Sequence, residues 1–156
     1  MSTSASTIID DARRRLANRP REAVGEWARR GRILGIARAP RIVPIDRAWR
    51  VGVLLIADDA VYGVGEVLRA RSEAVRGYTA TAQRERAERA AAAARGGFAD
   101  GEIVHLGAEP LDLSALDRGD ATGPLLVRDG VVQVRWSAAA APRPLAEYLS
   151  EQLALG

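Results

Sequence analysis

The chain has one histidine, His105, in the run "EIVHLGAEPLDL" (102–113), and two carboxylates follow it, Glu109 and Asp112. His-x3-Glu-x2-Asp offers an imidazole and two acids, the groups used in acid–base work or to hold a divalent metal. Pro110 lies between the acids and breaks regular structure, so the spacing alone fixes no common face. A second acidic feature is the adjacent pair Asp58-Asp59. A hard cation there would want further oxygens close by, and the neighbouring sequence has none. Between two β-like runs the same pair reads as a turn. The expectation is a polar cluster or pocket drawn from His105, Glu109, Asp112, Asp58 and Asp59. No metal or cofactor is expected, and His105 reads as a surface or hydrogen-bonded structural side chain.

Other chemistry is excluded by composition. With no cysteine there is no disulfide, thiolate nucleophile or cysteine zinc site. All 23 basic residues are arginine, so there is no Schiff-base lysine and no lysine for a phosphate loop. No Gly-x-Ser-x-Gly elbow appears, and Ser72, Ser114 and Ser137 have no motif around them. "YGVGEV" has two glycines of a dinucleotide fingerprint, lacks the third, and lies in a β-like run. No residue is assigned a catalytic role.

Charge is unevenly distributed. Residues 1–50 carry 12 arginines against 5 acids, residues 51–100 balance at 7 and 7, and residues 101–156 carry 4 against 8. The arginine-rich stretch 11–32 suggests an interaction surface containing Arg13, Arg14, Arg29 and Arg30. Aromatic residues make up only 4% of the chain, which leaves no stacking platform for single strands. Helix-turn-helix and zinc-finger signatures are also missing. The negative C-terminal third is an alternative counterpart for this charge, in the same chain or in a second copy.

Periodicity supplies the elements that must position these groups. Residues 1–7 are small and polar and are expected to fray. Ile8, Ile9, Ala12 and Leu16 make one apolar stripe of a helix. Pro20 opens what reads as a second helical segment to Gly31, its expected C-cap, with Ala23, Val24, Trp27 and Ala28 on one face. Two short β-like runs follow, 32–37 and 41–45, the second broken by Pro44 and so suited to an edge or bulge. Residues 48–71 read as a hairpin turning at Asp58-Asp59. That register sets Leu55 opposite Tyr62, Val53 opposite Val64 and Gly52 opposite Gly65. Gly52, Gly63 and Gly65 then leave a notch on one face. The alanine-rich helix expected over 79–97 is suited to pack into it.

Further along, 101–107 reads as a strand and Ser114 as the start of one helical turn. A second hairpin, 123–136, turns at Asp129-Gly130, a type I′ signal. The terminal helix over 143–155 aligns Leu145, Leu149 and Leu153. The fold class is therefore α+β: a single domain over 1–156, with a mostly antiparallel sheet built from two hairpins, and N-terminal, central and C-terminal helices.

The segments "RAAAAARGGFADGEIVHLGAEPLDL" and "GPLLVRDGVVQVRW" resemble small proteins of high-GC actinobacteria, some of which carry the label glutaminase. Serine-dependent glutaminases use a Ser-x-x-Lys nucleophile. This chain has no lysine, so the resemblance transfers no catalytic residue. No signal peptide or membrane span is visible, and a cytoplasmic location is expected. The leading functional expectation is a non-catalytic interaction module that associates with itself as a homodimer. The alternatives are a small-ligand binder or hydrolase-like enzyme with a pocket near His105, and nucleic-acid binding through the N-terminal arginines.

Overall fold

Helix α1 (Ala5–Leu16) begins where a side chain can cap it: Ser4 Oγ accepts from the Thr7 N–H at 3.2 Å. This cap carries the helix further toward the N-terminus than the frayed start expected from composition. The computed structural model describes residues 3–29, 32–33, 36–37, 39–72 and 80–156. Arg30, the Gly31 cap and the expected helix start at Thr79 lie outside the described residues.

After α1 come strands β1 (Glu22–Trp27), β2 (Arg32–Ile33), β3 (Ile36–Ala37) and β4 (Ile42–Val51). The second helical segment expected after Pro20 is thus strand β1. Its Ala23, Val24 and Gly25 are buried in succession, so both faces are covered, and the spacing that resembled a helical stripe belongs to a two-sided strand. Gly25 shows how closely this strand is packed. A Cβ there would lie 2.9 Å from Ile42 Cγ2 and 3.0 Å from Val104 Cγ1.

The remaining elements are β5 (Leu54–Ile56), β6 (Val61–Gly63), β7 (Glu66–Arg69), α2 (Thr81–Arg95), β8 (Ile103–Leu106), β9 (Glu109–Pro110), α3 (Leu113–Asp117), β10 (Leu125–Arg128), β11 (Val131–Val134), β12 (Arg143–Pro144) and α4 (Leu145–Leu155). The architecture is α+β. Most pairings are antiparallel, but β1 runs parallel to β8, so the sheet is mixed. The chain divides into two compact units, and the boundary between them falls inside β4.

The first unit holds Met1–Arg21, Ala48–Val64 and Glu109–Gly156. Here β4, β5, β6 and β9 form an antiparallel meander, and β10, β11 and β12 form a smaller sheet. The 48–71 segment therefore folds differently from the single long hairpin expected. The Asp58-Asp59 turn and the Leu55–Tyr62 pairing hold, and Val64 N–H donates to Val53 O at 3.1 Å. A second tight turn at Gly52-Val53, however, splits the first arm into β4 and β5. Gly52 has φ +61°, and a Cβ there would collide with the Tyr148 hydroxyl. That hydroxyl in turn accepts from the Val53 N–H at 3.0 Å.

The extra turn resets the alternation. Leu54 and Ile56 join Trp49 and Val51 in one core cluster with Ile9, Leu16, Leu125, Val134, Leu145, Leu149 and Leu153, Val53 packs against it, and Leu55 is fully buried outside it. The second hairpin keeps its expected register, Leu125 opposite Val134 and Val127 opposite Val132. Asp129 and Gly130 both have positive φ, as a type I′ turn requires. The turn expected to start at Ser114 is capped instead by Asp112, whose Oδ1 accepts from the Ser114 N–H at 3.1 Å.

The second unit holds Glu22–Arg47 and Gly65–Ala108. Its strands run in the order β7-β8-β1-β4. Residues 41–51 do not form two separate pieces: β4 passes straight through Pro44, which is exposed. Helix α2 buries Ala92 and Ala93 against Ile42, Leu68, Phe98 and Val104. The alanine face is thus used inside this unit's own core, not in the Gly52–Gly63 notch expected from sequence. Gly65 leaves the expected pairing with Gly52. Its α-carbon sits against the backbone of Leu106 and Gly107, with no room for a side chain.

Candidate functional site

The expected polar cluster is dispersed. His105 lies on β8 in the second unit, fully buried between Val24 of β1 and Val67 of β7. Its Nε2 is 3.2 Å from Glu22 Oε1, and its Nδ1 has no partner among the described residues. Val104 and Leu106 are buried too, so β8 is covered on both faces.

The other four candidates belong to the first unit. Asp112 is spent on capping α3, and its carboxyl is held below the usual range chiefly by the Ser114 hydroxyl, which donates to it at 2.5 Å. Asp58 accepts from the Arg21 guanidinium at 2.8 Å, and that bond holds its carboxyl low as well. Arg21 also lies 3.8 Å above the Trp49 ring, whose Nε1–H donates to Arg19 O at 2.9 Å. Asp58 thus fastens the meander to the chain that follows α1. Asp59 is exposed in the same turn. Among the described residues, no three histidines or acids are grouped as a metal site would require.

Two of the four interaction arginines, Arg13 and Arg14, are engaged within the fold. Arg13 donates to Asp10 at 2.8 Å and to Ala57 O at 2.8 Å, tying α1 to the Asp58-Asp59 turn. Arg14 reaches Asp11 at 3.4 Å. Arg29 is exposed in the second unit.

Of the expected cluster, Glu109 lines a hollow. A cavity of about 350 Å³ opens in the first unit among Arg50, Gly52, Val53, Gly63, Val64, Glu109 and Pro124. Glu109 on β9 is paired with Gly63 on β6. The nearest atom to a Cβ on Gly63 would be Pro124 Cδ at 3.5 Å, followed by Glu109 at 3.9 Å, so a side chain is not barred there by packing. Arg50 on β4 is paired with Leu55. Arg50 and Glu109 thus sit in adjacent rows of the meander, on opposite faces, and reach the hollow at the end of the sheet. Arg50 bends that way, its Nε–H donating to Gly52 O at 3.4 Å. The glycine notch marked part of this hollow in the sequence. Arg50 went unrecognised there because the turn that brings it to the sheet end was read as continuous strand.

A second concavity runs between α1 and α4. It encloses about 270 Å³ and has an apolar floor of Ile8, Ala12, Leu149 and Leu153. Asp11, Arg14 and Arg15 line it on the α1 side, and Ala146 and Ser150 on the α4 side. Arg15 donates across it to the Ser150 hydroxyl at 3.2 Å, a neutral partner. No described helix is long and apolar enough to cross a membrane. No family model, curated protein or solved structure matches the chain.

Proposed function

We propose that the protein is a non-catalytic interaction module of the cytoplasm that associates with itself through the α1–α4 groove. The observation that carries this reading is the concavity between α1 and α4. Its floor is apolar, and its α1 wall holds Arg15, whose partner is an uncharged hydroxyl. On α4, Glu147 follows the lining Ala146, just outside the lining itself, and interacts electrostatically with Arg143. A two-fold axis across the groove would lay α1 of one copy on α4 of the other, closing both grooves and setting Arg15 against Glu147 twice.

The candidate acid–base groups favour a non-catalytic reading as well. His105 is buried against Glu22, Asp58 and Asp112 are taken up in structural bonds, and the hollow beside Glu109 has neither a histidine nor a second acid in its lining. Light scattering on a sizing column tests the proposal. The expected mass is twice the 16.7 kDa of one chain, falling to a single chain for Ala146→Glu, which puts a charge into the groove. A wild-type chain that remains monomeric at high concentration and low salt would overturn it.

A further inference from the structure

We infer that the hollow at the end of the β4–β5–β6–β9 meander is a binding site for a small zwitterion, the size and charge pattern of a free α-amino acid. The inference is independent of self-association: none of the residues that line the hollow lines the α1–α4 groove.

Three features carry it. The first is size. About 350 Å³ is at the lower end of small-molecule sites, which suits a ligand of few atoms. The second is charge. Arg50 and Glu109 line the same space, yet no ion pair joins them, and Arg50's hydrogen bond goes to a backbone oxygen at 3.4 Å. Two opposite charges that face one space without closing on each other fit a ligand carrying both signs. Arg50 offers a planar fork of donors to a carboxylate, and Glu109 offers an acceptor to an ammonium group. A ligand with only one charge would engage only one of the two side chains.

The third feature is the floor. Gly63 puts bare backbone where a side chain would otherwise enter the space, and it holds no left-handed conformation that would require glycine. A Cβ at Gly63 would find its nearest neighbour 3.5 Å away, so neither packing nor backbone strain accounts for the glycine. An open volume does. The ligand backbone can approach the sheet end there, and any larger residue would occupy its place.

The test follows amide shifts of Gly52, Gly63 and Val64 in the full chain during titration with L-alanine, L-alaninamide and N-acetyl-L-alanine. Only L-alanine carries both charges. It is expected to give saturable shifts at these amides, with the two singly charged compounds at least 10-fold weaker. Arg50→Gln and Glu109→Gln should each weaken L-alanine by 10-fold or more. Both side chains are exposed, so both variants should keep the wild-type melting temperature. Gly63→Leu should abolish the shifts by filling the hollow, and its circular dichroism spectrum reports that it still folds. Absence of shifts with L-alanine overturns the inference. Equal binding of N-acetyl-L-alanine or of L-alaninamide also overturns it, by showing a site for one sign of charge only.

Discussion

The two units of this chain reach a packed interior by opposite means. The first fills its core with large side chains, among them Trp49, Leu54, Ile56, Leu125, Leu145 and Tyr148, supplied by two sheets and three helices. The second brings backbones together over small residues. Ala23, Ala70, Ala92 and Ala93 contribute four of the nine residues of its main buried cluster among the described residues, and Gly25 is pressed against Ile42 and Val104. Charge divides along the same line. The first unit carries 10 arginines and 11 acids, the second 13 and 9. The basic start and the acidic end of the chain, which look polarised in sequence, meet inside the first unit and nearly cancel. The arginine excess belongs to the second.

This contrast predicts that the first unit is damaged by removing carbon and the second by adding it. The largest expected effect is Leu54→Ala, which empties a fully buried site in the first core and should cost about 2–5 kcal/mol in chemical denaturation. Next is Gly25→Ala. The added methyl meets side chains at 2.9 and 3.0 Å and should cost about 1–3 kcal/mol, with hydrogen exchange accelerating first in the amides of β8. A Gly25→Ala variant as stable as wild type would break the comparison.

Smaller effects sharpen it. Ser4→Ala removes the α1 cap and should cost about 1 kcal/mol, read in the first unit's amides alone. The smallest concerns Asp58, whose carboxyl is lowered chiefly by the hydrogen bond from Arg21. A lowered carboxyl contributes stability that is present above the ordinary carboxylate range and is lost as pH falls through the folded value. The gap between wild type and Asp58→Asn should therefore be present at neutral pH and shrink in acid. The group is exposed, so the gap stays small.

How far these features were legible in the sequence depended on how local their causes are. The 123–136 hairpin could be read with its register, because Asp129-Gly130 encodes the turn and alternation encodes the faces. The stripe of α1 and the leucines of α4 were equally local. Residues 22–27 were misread because a strand buried on both faces has no alternation, and its partner, β8, lies some 80 residues away in a parallel pairing. The turn at Gly52-Val53 escaped because its cause is a contact with Tyr148, far along the chain. The same slip hid Arg50 from the candidate site. Glu109 was recognised, while His105 was drawn toward it by sequence proximity, although the two residues are assigned to different units.

Charge reversal at the α1–α4 groove tests the functional account most directly. Arg15→Glu and Glu147→Arg, each prepared alone, should run as single chains on light scattering, because each places like charges together twice in the two-fold pairing. An equimolar mixture of the two should regain the dimer mass, since every contact is then again between opposite charges. Dimers in both single variants, or a mixture that remains monomeric while the wild type dimerises, would contradict the proposed interface.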